Sequence, residues 1–388
     1  MVHNKDDEKY MRLSLGLARR GMGRTSPNPM VGAVVVKGTT IVGRGYHHRA
    51  GEAHAEVLAL RRAGEKARGA TLYLNLEPCD HFGRTPPCTR AILEAGIRRV
   101  VAGMKDPNPL VSGKGIRRLK RAGIKVEVGV LGEECRELNA PFCKYVTRRT
   151  PLVTLKAAIS LDGKVATKSG DSRWISCAAS RAYVHRLRST MDAVMVGIVT
   201  VLKDDPLLNV RLPGVRNVHH PLRVIVDSRL RIPLGSQVVK TAGKYRTLVA
   251  TTRAASTCRM ERLKKAHVEV IVVKSDADGR VDLRALMREL GRREILSILL
   301  EGGATINASA LREKVIDRMV IFMAPKIIGG EEAPGMIGGD GAPRLRDAAP
   351  LKNMKIKRIG SDLMIEGTVF LNAECGVRNA QEEKRTRP

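Results

Sequence analysis

Three side chains that bind soft divalent metals stand in a telling order: His54, then Cys79 and Cys88, with Glu56 two positions beyond the histidine and Pro78 just before the first cysteine. One imidazole and two thiolates are the ligand set of a catalytic zinc ion that keeps a fourth position for water. Such a water ionises near neutral pH, and a carboxylate beside it but off the metal can carry its proton to a leaving amine. An isolated His-x-Glu means little. Its place one strand ahead of Pro-Cys and a second Cys makes zinc the preferred reading, against the alternative of a surface histidine and two inert thiols.

The spacing constrains the elements that must position these groups. Along a continuous helix His54 and Glu56 would point about 200° apart, so both reach one site only from a helix's first turn. Hydrophobic spacing predicts a helix from about residue 53 to 63, starting at that point. Cys79 follows a predicted strand at 71–76, and Cys88 opens a predicted helix at 88–95, whose N-terminus lowers a thiol pKa and favours ligation. This is the arrangement of zinc-dependent base deaminases.

Around this site helix and strand alternate: a helix through Tyr10, Leu13 and Leu17, a hairpin of 31–36 and 41–43, strands at 98–102 and 124–128, and a helix at 113–122. The pattern predicts an α/β layered domain over residues 1–148. Arg148-Arg149-Thr150-Pro151 marks a break. Strands at 152–158, 193–196, 222–226, 247–250, 268–273, 297–300, 319–323 and 363–370, with helices near 178–190, 258–266, 281–290 and 303–313, predict a second α/β domain over 149–372. Residues 373–388 are polar and aperiodic and read as a disordered tail. No internal repeat is visible.

The 69 basic against 39 acidic residues give a net charge of +30, which favours anionic partners. The basic residues are spread over the whole length and aromatics are only 3%, leaving few platforms for stacked bases, so a phosphorylated small molecule is preferred to nucleic acid. No apolar run approaches the about 18 residues of a membrane span, and the mixed-charge N-terminus leads into no apolar segment, so a cytoplasmic protein is expected. The seven scattered cysteines fit metal ligation or buried thiols better than disulfides. The remaining histidines, including His47, His48, His219 and His220, read as solvated loop residues.

In the second half, the strand at 297–300 runs through Glu301-Gly302-Gly303-Ala304-Thr305 into a helix. Glycines there let backbone N–H groups approach a phosphate at the helix N-terminus. The same pattern also serves an ordinary strand-to-helix turn, and it is not the G-x-G-x-x-G dinucleotide fingerprint.

Several motifs together resemble one family, the bifunctional deaminase-reductases of riboflavin biosynthesis. In the first half these are Thr25-Ser26-Pro27-Asn28-Pro29-Met30-Val31-Gly32, His54-Ala55-Glu56, the segment Glu77 to Cys88, and Asp106-Pro107-Asn108-Pro109. In the second they are Lys156 to Lys164, Asp171-Ser172-Arg173-Trp174-Ile175, Val184 to Arg188, Asp204 to Leu208, and Glu301-Gly302-Gly303. Eight residues separate the two cysteines, where nucleic-acid and free-base deaminases usually have two, and this favours the riboflavin branch over an RNA-binding deaminase carrying an interaction module.

The resemblance implies a cytidine-deaminase-like three-layer α/β/α domain followed by a dihydrofolate-reductase-like α/β domain, with zinc and NADPH as cofactors. It implies hydrolytic deamination of a phosphoribosylaminopyrimidine, Glu56 moving the protons, and then reduction of the opened ribose by hydride. It places Asn28, His81 and Arg84 on the deaminase substrate; an amide such as Asn28 suits both a carbonyl and an amino edge. Carried over position by position, it sets Ala158, Trp174, Thr200, Asp204, Ser228, Gly303, Ala304 and Thr305 against NADPH. Ser172, Arg188, Leu208, Arg211 and Glu301 fall against the reductase substrate, where paired guanidiniums suit a phosphate. Trp174, the only tryptophan, is by residue type a core side chain. Val199 departs from the family, whose members often carry Gly before the Thr. A homo-oligomer is the expected assembly.

Overall fold

The computed structural model describes residues 4–82, 86–109, 111–215 and 217–370. In the first half, strands β1 (Gly32–Lys37), β2 (Thr40–Tyr46), β3 (Thr71–Leu74), β4 (Arg99–Ala102) and β5 (Lys125–Val128) form one sheet in the order β2-β1-β3-β4-β5. The hairpin β1-β2 and the pair β1-β3 are antiparallel, while β3, β4 and β5 run parallel. Helices α1 (Lys5–Ala18), α2 (Ala55–Ala63), α3 (Cys88–Glu94), α4 (Lys114–Arg121), α5 (Gly132–Leu138) and α6 (Ala140–Arg148) cover it.

Alternation along the strands sorts the two faces. Ala33 and Val35 pack with Ala59, Leu60, Ile92 and Leu119 of α2, α3 and α4, whereas Val34 and Val36 pack with Met11, Leu15 and Cys135 of α1 and α5. Three layers result, α/β/α. The helix that carries Glu56 lies hard against β2 because two positions there lack a side chain: a Cβ on Gly43 would stand 2.2 Å from the Ala59 carbonyl oxygen, and one on Gly45 2.4 Å from that of Ala55.

The second half comprises β6 (Leu152–Ile159), α7 (Ala178–Ser189), β7 (Ala193–Gly197), α8 (Ile198–Asp204), β8 (Leu222–Val226), α9 (Gln237–Lys240), β9 (Thr247–Thr251), α10 (Thr257–Lys265) and β10 (Glu269–Val272). After these come α11 (Leu283–Arg292), β11 (Ser297–Leu300), α12 (Ala304–Arg312), β12 (Arg318–Met323), β13 (Leu351–Ile359) and β14 (Asp362–Val369). The described residues pack as two compact units, one of residues 4–153 with Ala182–Leu300, the other of Thr154–Arg181 with residues 301–370. In the former, β10, β9, β8, β7 and β11 are successive parallel neighbours. Their buried runs, such as Val194 to Val196, read as continuous apolar stretches because both faces are covered. In the latter, β6 and β12 are parallel and β12, β14 and β13 antiparallel. The expected tail at 373–388 lies outside the described residues.

Candidate functional site

His54 is the extended N-cap residue of α2, Glu56 falls in that helix's first turn, and Cys88 is the first residue of α3. The first-turn geometry demanded by the His-x-Glu spacing is therefore present. His54 Nδ1 stands 3.2 Å from Cys88 Sγ and 3.6 Å from Cys79 Sγ, and the Cys88 backbone N–H donates to Cys79 Sγ across 3.4 Å. Ligand atoms on a tetrahedral zinc ion are about 3.5 Å apart at ordinary Zn–N and Zn–S lengths. The three atoms, all within 4.8 Å of one another, fit that ion.

The electrostatics point the same way. The two sulfurs titrate as a pair: the hydrogen bond from Cys88 pulls Cys79 down to about 4, and that same bond pushes Cys88 up. His54 is raised, chiefly by its hydrogen bond to Cys79. Glu56, 4% exposed, is raised by burial and then by the charge on Cys79. A thiolate beside a buried carboxylate raises the carboxylate's proton affinity, and a divalent cation relieves that conflict.

Cys79 is held by a residue that the sequence did not single out. The buried Glu77 carboxylate accepts the backbone N–H groups of Asp106 (3.1 Å) and Gly113 (2.9 Å) on Oε2, and of Ile116 (3.1 Å) on Oε1. It caps α4 at its positive end and so fixes Pro78 and Cys79 against that helix. Gly115 makes the approach possible, since a Cβ there would stand 2.0 Å from the Pro78 carbonyl oxygen.

The triad opens on a cavity of about 380 Å³ whose lining includes Asn28, His47, Glu56, His81, Asp106 and Asn108. The reading of His47 as a solvated loop residue is corrected: it is 3% exposed, packed edge-on to His54 with ring centroids 5.4 Å apart. Its Nε2 accepts from Asn28 Nδ2 (3.0 Å) while Nδ1 meets the Ala53 carbonyl (3.3 Å), which assigns the proton to Nδ1. Burial lowers its pKa and keeps the ring neutral. Local sequence could not reveal this, because the partner lies 19 positions away. Asn75 and Asn139 clamp the backbone of Met30, and with it the turn carrying Asn28. Asp106 is pushed up to about 6 by burial. His81 is exposed, and Arg84 lies outside the described residues.

The expected reductase residues fall in both units. In the unit holding 182–300, Arg188 (α7) and Arg211 share one partner: Arg188 Nη1 donates to the Asn209 carbonyl (3.1 Å) and Arg211 Nη1 to Asn209 Oδ1 (2.6 Å). Burial, then the charge of Arg188, lowers the Arg211 pKa. Leu208 is buried at φ +52°, Thr200 and Asp204 lie on α8 with the half-exposed Val199 beside them, and Ser228 Oγ accepts the Val281 N–H (3.0 Å). In the other unit, Ala158 sits on β6 and Ser172 is half-buried. Glu301 stands 3.9 Å from Lys156 Nζ. Gly303 is the N-cap of α12, with Ala304 and Thr305 its first two residues, and Asn307 Nδ2 holds the turn through the Gly302 carbonyl (3.2 Å). Trp174 is no core residue; it is 63% exposed, with the Arg181 guanidinium 4.6 Å from its ring centroid.

Two family models match the chain: the cytidine and deoxycytidylate deaminase zinc-binding region over residues 4–104, and the RibD C-terminal domain over 151–365. Riboflavin biosynthesis protein RibD of Aquifex aeolicus is 47% identical over 359 residues, 92% of this chain and 97% of that protein, and RibD of Escherichia coli is 41% identical over 369 residues, 92% and 98%. Among solved structures, Acinetobacter baumannii RibD (form 1) superposes with a TM-score of 0.85 at 37% identity, covering 95% of this chain and 99% of that one. The Thermotoga maritima diaminohydroxyphosphoribosylaminopyrimidine deaminase/5-amino-6-(5-phosphoribosylamino)uracil reductase gives 0.80 at 37% identity, over 94% and 99%.

A cytidine-deaminase-like domain with a zinc-binding region, followed by a dihydrofolate-reductase-like domain that uses NADPH, defines a bifunctional deaminase-reductase. Matches of this identity over nearly the whole length narrow that class to a single pathway. The chain belongs to the RibD family and is a bifunctional enzyme of riboflavin biosynthesis.

Proposed function

We propose that residues 1–148 deaminate 2,5-diamino-6-(5-phosphoribosylamino)pyrimidin-4-one and that residues 149–372 then reduce its ribosyl group to a ribityl chain. The observation that carries the first step is the convergence of His54 Nδ1, Cys79 Sγ and Cys88 Sγ beside a buried Glu56. A zinc ion held by those three atoms would supply a polarised, readily ionised water. Glu56 would hold a proton from the attacking water on its carboxylate and hand it to the departing amine, so that water and substrate give ammonia and the carbonyl product. Asn28, fixed by His47, orients the pyrimidine edge, with His81 and Arg84 completing the substrate contacts.

For the second step, NADPH supplies hydride and the protein orients it. Ala158, Trp174, Thr200, Asp204 and Ser228 contact the cofactor in this reading, and the α12 N-terminus at Gly303, Ala304 and Thr305 offers N–H groups to its phosphates. Ser172, Leu208 and Glu301 take the sugar end of the substrate, while Arg188 and Arg211 grip its phosphate. Among the described residues no helix is long and apolar enough to cross a membrane. We expect a homo-oligomer, which sedimentation of the purified protein checks. Incubation with the diaminopyrimidine phosphate and NADPH, following ammonia and NADPH absorbance together, tests the proposal. Stoichiometric release of one ammonia per NADPH consumed supports it, and absence of either signal refutes it.

A further inference from the structure

The segment that carries Arg211 is pinned at almost every residue by side chains from elsewhere in the same unit. The Leu207 carbonyl accepts Arg223 Nη1 (3.0 Å), the Val210 N–H meets His220 Nδ1 (3.3 Å) and the Arg211 N–H meets His185 Nδ1 (3.2 Å). Arg223 is itself fully buried, its remaining donors taken by the neutral oxygens of Thr241, Thr247, Val238 and Tyr245. At the centre is Asn209, 7% exposed, whose carbonyl takes Arg188, whose Oδ1 takes Arg211, and whose Nδ2 donates to Tyr245 Oη (3.3 Å). Two cations that repel each other are thus brought side by side by one residue that accepts from both and neutralises neither. Arg188 is held by the backbone carbonyl, which any residue would offer, and Arg211 by the side-chain amide, which leaves its charge in place where a carboxylate would cancel it.

We propose that Asn209 is a positioning residue whose side-chain amide holds Arg211 beside Arg188 at the spacing of a dianionic phosphate group. The inference rests on the reading that Arg188 and Arg211 hold the substrate phosphate.

The test uses the full-length, zinc-loaded enzyme with Asn209→Ala, Asn209→Asp, Asn209→Thr and Arg211→Ala. Reductase kinetics are measured on the deaminated phosphoribosyl substrate and on its dephosphorylated form, with inorganic phosphate as competitive inhibitor and ammonia release as the check on folding. Loss of a hydrogen bond to a charged group predicts a rise of about tenfold in KM for the phosphorylated substrate and in the phosphate inhibition constant for Asn209→Ala, with kcat held within about twofold. Asn209→Asp rises further, Asn209→Thr recovers part of the loss through its hydroxyl, and KM for the dephosphorylated form stays put. If Arg211→Ala raises KM while the Asn209 variants do not, or if both substrates and the melting temperature shift together, Asn209 has no positioning role. If Arg211→Ala changes neither KM nor phosphate inhibition, the phosphate reading itself falls.

Discussion

Glu77→Gln removes one oxygen from a carboxylate that serves three backbone donors, and nothing else in size or shape. Oε2 accepts two N–H groups and Oε1 one, so either orientation of the amide sets its NH₂ against at least one buried N–H. An orphaned buried donor costs about 1–3 kcal/mol, and loss of the negative charge at the α4 N-terminus costs up to about 1 kcal/mol more. The total is about 3 kcal/mol, which for a domain of this size lowers the melting temperature on the order of 10 °C. Because Pro78 and Cys79 are held through Glu77, the metal site loosens with it, and a residue that orients a ligand from behind typically supports about 10–100-fold in metal affinity. The assay is transfer of zinc to a chromogenic chelator, run beside thermal melting and ammonia release. Unchanged chelator resistance with an unchanged melting temperature would show that the Glu77 cap does not position Cys79.

Other consequences can be checked on the same preparations. Glu56→Gln is expected to cut ammonia release by about 10²–10⁴-fold, while NADPH oxidation on the deaminated substrate continues; loss of both activities in a folded protein contradicts independent sites. Asp106, pushed up to about 6, keeps its proton in the native state after the unfolded chain has lost its own, so stability falls as pH rises through about 4 to 6 and is lower by about 3 kcal/mol above that window. Asp106→Asn is expected to melt higher than wild type at pH 8 and to lose that advantage near pH 4; no difference at pH 8 refutes it. His47, lowered by burial, has the opposite sign: its stabilisation is complete above the unfolded value of about 6.5 and is lost as pH falls through the lower native value. Since only the neutral ring accepts the Asn28 amide, the deaminase KM is expected to rise in acid, and a flat profile would exclude that bond from substrate binding.

The convergence of His54, Cys79 and Cys88 beside Glu56 was legible because helix geometry allows His-x-Glu to serve one site only at a helix start, and α2 begins where that demands. Strand β1 and the buried parallel strands were legible as short continuous apolar runs, because both faces of each are covered. Elements with little to bury went unread. α6 has no buried residue, α5 buries only Gly132 and Cys135, and β13 is exposed along nearly its whole length, so none carries a strong apolar pattern. α8 is seven residues long with two buried, and its apolar start reads as an extension of β7. Glu77, His47 and Asn209 escaped because their roles are hydrogen bonds to distant segments, which no local spacing records.

Metal analysis with X-ray absorption at the zinc edge tests the central claim most directly. One zinc per chain is expected, bound by two sulfurs at about 2.3 Å and two lighter atoms at about 2.0 Å, with the signal lost in Cys88→Ser. A zinc-free protein that still releases ammonia, or a zinc ion with no sulfur neighbours, would contradict it.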